Sequence, residues 1–307
     1  MTTALITHPD CLGHENPPGA PEKVARLEHL LSALVPLDLL RLEAPMGTPE
    51  QAELVHDAEY VAQIPDRIPT KDHIWLDGDT YLSPGSLNAI YRGVGGAVRA
   101  VDAVLDGEAK NAFCATRPPG HHAEQALPMG FCIFGNVAIA AKHALENRGL
   151  KRVAVLDFDV HHGNGTQALL QDDPRAFFVS SHQFPLWPGT GRASEIGPHG
   201  NIMNIPLDPA SGGAEMQNAW EPVWDRLYEQ KPEMILISAG FDAHTNDPLA
   251  ELRWEVEDFA WLTAKICEMA AELSEGRVVS VLEGGYDLRA LAMSAKAHVE
   301  ELMKAAT

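Results

Sequence analysis

The sequence predicts an α/β protein: one parallel β-sheet flanked by helices, with a polar site along the carboxyl ends of its strands. Three observations predict it. Short runs rich in β-branched residues alternate with longer amphipathic stretches. The short runs are apolar on both faces, as strands covered on both sides are. Several of them end in titratable or glycine-rich segments. The 307 residues, 45% hydrophobic, suffice for a full core, and no repeat, low-complexity tract or linker divides them, so residues 1–307 are expected to form a single domain.

The elements follow in order. TALIT (3–7) reads as the first strand, and VARLEHLLSAL (24–34) as a helix with leucines three and four residues apart. SLNAIYRGVGGAVRAVDAVL (86–105) reads as a second, longer helix. NAFCAT (111–116) is a strand, GNVAIAAKHALEN (135–147) a helix, and RVAVLDF (152–158) and AFFVSS (176–181) are strands. EMQNAWEPVWDRLYE (215–229) reads as a further helix. The strand EMILISAG (233–240), the helix DFAWLTAKICEMAAEL (258–273), the strand RVVSVLE (277–283) and the helix LRALAMSAKAHVEELM (288–303) complete the chain.

Lys+Arg is 23 and Asp+Glu 43, a formal charge of −20. Such a surface repels phosphate backbones, which argues against nucleic-acid binding; it is compatible with a cationic substrate, and many soluble proteins are simply acidic. Cys11, Cys114, Cys132 and Cys267 form no C-x-x-C pair and read as reduced structural thiols. MTTALITHPD lacks the basic and apolar regions of a signal peptide, and no apolar run is long enough to span a membrane. A cytoplasmic protein is expected.

TALIT runs into His8, NAFCAT into Arg117-Pro118-Pro119-Gly120-His121-His122, RVAVLDF into Asp159 and His161, EMILISAG into Asp242 and His244, and RVVSVLE into Gly284-Gly285-Tyr286-Asp287. Ligands of open α/β sheets bind outside the carboxyl ends of the strands, and this is where the chain places its chemistry. On an extended strand Asp157, Asp159 and His161 share a face, with Phe158 and Val160 on the other, and three such groups cannot be buried unpaired. A divalent cation resolves the conflict. Asp159 and His161 could bind it directly, with Asp242 as the best third ligand and a position left for water. A lone D-x-H also reads as a hydrogen-bonded strand end; the neighbours favour the metal. His121 and His122 stand in a PPGHH turn as candidate base and acid, and Tyr286 can donate to an oxyanion. H-E-x-x-H and G-K-[ST] are absent, and GVGGAV (93–98) and GTGRAS (189–194) each lack the last glycine of a dinucleotide loop. A two-metal centre would want a carboxylate where Asn164 stands.

RPPGHHA (117–123), MGFCIFGN (129–136), DFDVHHGNG (157–165), PGTG (188–191), AGFDAHTNDPL (239–249) and LEGGYDL (282–288) together resemble the zinc-dependent histone deacetylase and acetylpolyamine amidohydrolase superfamily, in its order. The resemblance implies the arginase/deacetylase-like α/β fold, and HHGNG, with Asn164, is closer to the class II and bacterial branch. It implies one zinc ion on Asp159, His161 and Asp242. His122 would be the main base and acid, backed by Asn164, and His121 an electrostatic assistant oriented by Asp157. Asp157, Ser180 and the carbonyls of Asp159, His161 and Ser181 would hold a monovalent cation such as K⁺. The Gly130 carbonyl would receive the substrate amide N–H, Phe131 and Trp187 would wall an acyl-lysine tunnel near Leu249, and Gly284 and Gly285 would face the substrate beside Tyr286.

The activity implied is hydrolysis of acetyl or other acyl groups from lysine-type amines on a small molecule or peptide, with a homo-oligomer left open. The alternatives are an acetylpolyamine amidohydrolase, an arginase-like two-metal hydrolase and an idle acyl-lysine binding module. Where many bacterial relatives have G-H-P-E-R, this chain has Gly19-Ala20-Pro21-Glu22-Lys23, expected at the pocket mouth, and DGDTYLSP (77–84) holds Asp79 as the candidate for gripping a substrate backbone.

Overall fold

The computed structural model describes residues 2–307. Its strands and helices are β1 (Thr3–Thr7), α1 (Val24–Leu34), β2 (Leu40–Glu43), α2 (Pro49–Ala52), α3 (Ala58–Asp66), β3 (Ile74–Trp75), β4 (Tyr81–Leu82), α4 (Ser86–Leu105), β5 (Asn111–Cys114), α5 (Asn136–Glu146), β6 (Val153–Asp157), α6 (Asn164–Leu170), β7 (Ala176–Gln183), β8 (Ile202–Leu207), α7 (Gly213–Gln230), β9 (Ile235–Ala239), α8 (Val256–Leu273), β10 (Val278–Leu282) and α9 (Leu288–Ala305). Eight strands make one sheet in the order β2-β1-β5-β10-β9-β6-β7-β8, and every pairing in it is parallel. β3 and β4 form a small antiparallel hairpin apart from it.

Alternation along the strands divides the interior between the two faces. Ala154 and Leu156 of β6 join Phe113, Phe177 and Ile237 on one face, beneath Leu27, Trp220, Phe259 and Leu291 of the helices. Val153 and Val155 join Ala112, Phe178 and Leu236 on the other, against the alanine-rich faces of α4 and α5. Each large aliphatic side chain so buried contributes roughly 1.5–3 kcal/mol. A sheet covered on both faces can therefore carry the buried charge at its rim.

Two strands of the main sheet, β2 and β8, and the β3–β4 hairpin were not expected from the sequence. LRLE is a four-residue edge strand whose residues are alternately half-buried and exposed, and its charges mask the strand pattern. IMNIPL contains Asn204 and Pro206 and is tolerated because it is the opposite edge. The short helices α2, α3 and α6 were also unexpected; α6 opens inside HHGNG.

The sheet order explains how the polar segments meet. β5, β10, β9 and β6 are consecutive neighbours, and they carry the PPGHH turn, the GGY turn, the SAGFDAH segment and the DFDVHH segment. Parallel pairing brings all four carboxyl ends to the same rim. β1, the parallel neighbour of β5, ends on the same rim, but its His8 caps the following turn by accepting the Asp10 N–H at 3.1 Å. All four cysteines are buried and free, and among the described residues no helix is long and apolar enough to cross a membrane.

Candidate active site

β6 ends at Asp157, and the next residues continue its alternation long enough to sort the side chains. Phe158 and Val160 are fully buried in the apolar core. Asp157, Asp159 and His161 turn toward the rim. The Asp159 carboxylate accepts the His161 N–H at 2.9 Å and the Gly284 N–H at 2.9 Å. Asp242, after β9, accepts the Val160 N–H at 2.9 Å. These backbone bonds fix both carboxylates beside one imidazole, with His161 Nδ1 3.3 Å from Asp159 and 3.2 Å from Asp242.

Asp159, His161 and Asp242 each offer a ligand atom, all within 4.8 Å of one another, and all three residues are buried. Burial disfavours the His161 cation, but Asp159 and Asp242 outweigh it and push its pKa up to about 10. Two buried carboxylates demand positive charge between them, and a divalent ion meets that demand in place of the proton. The donor set therefore fits a metal. Gly284 must be glycine here: a Cβ would lie 2.3 Å from Asp242 Oδ2 and 2.6 Å from Asp159 Oδ2.

The PPGHH turn brings two imidazoles against this group, with ring centres 3.9 Å apart. Glu283, at the end of β10, holds the turn by accepting the N–H groups of Gly120 at 2.7 Å and His121 at 3.1 Å. His121 Nδ1 lies 2.9 Å from Asp157 Oδ2, and His122 Nδ1 lies 2.8 Å from Asn164 Oδ1. The Asn164 amide is oriented by its NH₂ donating to Glu124 at 2.8 Å, so its oxygen faces His122 and the His122 Nδ1 carries the proton. Burial and the neighbouring His121 and His161 push the His122 pKa well below its ordinary value. Burial acts the same way on His121, but Asp159 and Asp157 outweigh it and hold that ring as the cation. The two neighbouring imidazoles are thus pushed in opposite directions, one toward the free base and the other toward the cation, the separation that acid–base chemistry requires.

Tyr286 stands on the GGY turn directly before α9, whose first turn Asp287 caps by accepting the Ala290 N–H at 2.8 Å. Burial and the Asp242 charge keep its phenol protonated, against the opposing Arg26. Tyr286, His122 and His161 line one cavity of about 180 Å³ together with Gly130, Phe131, Leu186, Trp187, Leu249 and Asp79. Trp187 stands edge-on to His122 with ring centres 4.7 Å apart. Gly130 and Phe131 both take positive φ, +57° and +67°, which is costly for a phenylalanine. A Cβ on Gly130 would come within 2.4 Å of the His122 ring. Their N–H groups are held by Asp79 and by Thr80 Oγ1, both at 3.0 Å.

Residues 20–302 match the histone deacetylase domain. The chain belongs to the histone deacetylase family. It is 37% identical to a probable deacetylase of Archaeoglobus fulgidus over 94% of this chain and 82% of that protein. It is 38% identical to a histone deacetylase-like amidohydrolase of Pseudomonas aeruginosa over 97% of this chain and 79% of that protein. The human polyamine deacetylase HDAC10 is 36% identical over 99% of this chain, which spans 48% of that longer protein. The solved HDA15 HD domain superposes with a TM-score of 0.93 at 30% identity, covering 99% of this chain and 88% of that one. With this family and these relatives, the chain is a hydrolase of the deacetylase and amidohydrolase type.

Some of the expected positions lie away from the cavity and others at it. Gly284 and Gly285 do not line the cavity; Gly284 backs Asp159 and Asp242 instead. No residue of 19–23 lines it either: Glu22 is buried, pairs with Arg26 at 3.0 Å and is held by Arg117 at 2.6 Å. Asp79 lies at the cavity with one oxygen on Gly130 N–H. His162 turns away, its ring nitrogens 2.8 Å from Thr190 Oγ1 and 3.0 Å from Gln167 Oε1. Ser180 is 3.0 Å from His182 Nδ1 and lies opposite Asp157 in the sheet, while the buried Ser181 hydroxyl has no partner. Sequence reasoning missed Arg26, Asp247 and Glu283, which brace the PPGHH and GGY turns. For Arg26 a signal existed: Glu22 and Arg26 are four residues apart, and Arg26 falls on the leucine face of α1.

Proposed function

We propose that the protein is a zinc-dependent deacetylase that removes acetyl or other acyl groups from lysine-type amines. The observation that carries this reading is the convergence at one cavity of a buried Asp-His-Asp group, a neutral histidine beside a cationic one, and a protonated tyrosine. Asp159, His161 and Asp242 would hold one zinc ion, which when bound supplies Lewis acidity toward a water molecule and the acyl oxygen. His122, its Nδ1–H held by Asn164, takes the proton of the attacking water at Nε2. Tyr286 donates its hydroxyl to the oxygen that gains charge, and the His121 cation, fixed by Asp157, adds to the positive field. The proton on His122 then passes to the departing amine. Phe131, Trp187 and Leu249 enclose the aliphatic stem, and the Gly130 carbonyl accepts the amide N–H. Asp157, Ser180 and the carbonyls of Asp159, His161 and Ser181 would hold a monovalent cation such as K⁺ behind the site. The cytoplasm and a single domain over residues 1–307 remain part of this reading.

An acylpolyamine is the second reading, favoured by the carboxylate of Asp79 at the cavity, which can meet a second ammonium group. A two-metal centre is less well supported, because Asn164 is engaged by His122 and Glu124. A turnover panel on the zinc-loaded protein separates the readings. Preference for acyl-lysine peptides over acetylputrescine and acetylspermidine is expected, and turnover of the polyamines alone would transfer the assignment to the second reading. Metal-loaded protein idle on every acyl amine would make it a binding module, and two tightly bound Mn²⁺ per chain would overturn the single-ion site.

A further inference from the structure

Asp247 lies between the segment that carries Asp242 and the turn that carries Tyr286. It is 7% exposed. One oxygen, Oδ1, accepts the Leu249 N–H at 3.0 Å. The other, Oδ2, accepts the N–H of Tyr286 itself at 2.7 Å and, more weakly, that of Asp287 at 3.4 Å. Its own N–H donates to the His244 carbonyl at 2.8 Å, which closes the loop around it. Among the described residues no basic side chain pairs with the carboxylate; its hydrogen bonds are to backbone N–H groups. A carboxylate used in this way costs desolvation, which a packing residue would avoid. What it gains is a fixed distance between the cavity wall at Leu249 and the tyrosine opposite, well beyond the backbone bond by which Phe241 N–H already ties the start of this segment to the Gly284 carbonyl at 3.0 Å.

We propose that Asp247 is a positioning residue for Tyr286, its two oxygens locking the tyrosine's backbone to the Leu249 wall so that the phenol points at the reacting carbonyl. The proposal rests on the reading that Tyr286 donates to the developing oxyanion. A misplacement of about 1 Å at such a group costs on the order of 10²-fold in rate. The geometry also says which variant is informative. Asparagine is nearly isosteric, but it offers one acceptor oxygen where the backbone presents N–H groups to both. In Asp247→Asn an NH₂ group must face either Leu249 N–H or Tyr286 N–H, and that side of the lock opens.

The test is a double-mutant cycle on the zinc-loaded enzyme with an acetyl-lysine peptide. Asp247→Asn alone should lower kcat by about tenfold to 10²-fold with zinc content and thermal midpoint near wild type. Introduced into Tyr286→Phe, it should cost little further kcat, because the hydroxyl it positions is already gone. A role in general stability would multiply the two losses, and full multiplicativity would overturn the proposal. So would wild-type kcat in Asp247→Asn while Tyr286→Phe is impaired. A fully active Tyr286→Phe would instead remove the oxyanion role itself, and the positioning role with it. If Asp247→Asn does not fold, Asp247→Glu keeps the charge, displaces the lock by one methylene and is compared in the same two backgrounds.

Discussion

The guanidinium of Arg26 lies 4.9 Å from the centre of the Tyr286 ring. Its Nε donates to the Gly285 carbonyl at 2.6 Å, and one terminal nitrogen donates to the Glu283 carbonyl at 2.6 Å. A buried cation thus grips the turn on either side of Gly284 while its face rests against the tyrosine. The arrangement holds the phenol in place, and burial keeps it protonated. Tyr286→Phe should therefore retain metal and fold and lose on the order of 10²–10³ in kcat. Steady-state kinetics with parallel metal analysis check this, and unchanged kcat would remove Tyr286 from the chemistry.

The proposed metal site lies between Asp159 and Asp242, one on each side of His161. Asp242→Ala and Asp159→Ala should each lose zinc together with activity, since a single carboxylate and an imidazole leave a 2+ ion under-neutralised. Equilibrium dialysis followed by elemental analysis reads this directly. Wild-type zinc content in either variant would show that the missing carboxylate is not a ligand. Each variant also leaves His161 with one fewer carboxylate to favour its cation, so the metal-free protein should remain folded.

Much of this site was legible because the chemistry sits at strand ends. Period-two alternation separated Asp159 and His161 from Phe158 and Val160, and all four catalytic strands were found, each within one or two residues of its observed bounds. The edge strands were not legible, because β2 and β8 are half-exposed or interrupted by Pro206 and carry no apolar run. The bracing residues were hidden for another reason. Asp247 and Glu283 bind backbone N–H groups of residues distant in sequence, and nothing in their spacing records which turn they hold. Glu22 is an instance of the same limit. Its neighbours Ala20 and Lys23 suggested a rim loop, whereas contacts with Arg26 and Arg117 place the carboxylate in the interior.

That interior carboxylate yields a stability prediction. Burial alone would raise the Glu22 pKa, but the charges of Arg117 and Arg26 outweigh it and hold it at about 2. Because the folded value lies below the ordinary 4.5, the contribution is present above about pH 4.5 and is lost as pH falls toward 2. Glu22→Gln leaves two fully buried guanidinium groups without their counter-charge, an effect of about 3–5 kcal/mol. Urea unfolding at neutral pH should show that loss as a lower midpoint with unchanged slope. A variant as stable as wild type would mean that the two arginines are satisfied by carbonyls alone.

A second acid transition should come earlier, from histidines that the chemistry does not use. Burial pushes the pKa values of His14, His56 and His182 down to about 4 and that of His298 down to about 3. His298 shows why: both ring nitrogens are occupied, by Thr263 at 2.7 Å and Ser280 at 2.8 Å, between the rings of Phe113, Phe158 and Phe241. In the unfolded chain these rings take protons near the ordinary 6.5, while in the folded chain they stay neutral. Stability is therefore full above about pH 6.5 and falls as pH drops toward 4, by about 1.4 kcal/mol per pH unit for each proton taken up on unfolding. Unfolding free energies measured at pH about 7.5, about 6.5 and about 5.5 should decline slightly across the first interval, where the unfolded rings begin to titrate, and more steeply across the second. Zinc binding at the proposed site would compete with protons on His161 in the same direction, so the series is run on Asp242→Ala protein to remove that contribution; Asp247 and Glu283, which burial pushes up to about 7, take up protons in the folded state and offset part of the decline, two carboxylates against four rings. Equal stability at the two lower values would mean that these rings are hydrated or charged in the folded state.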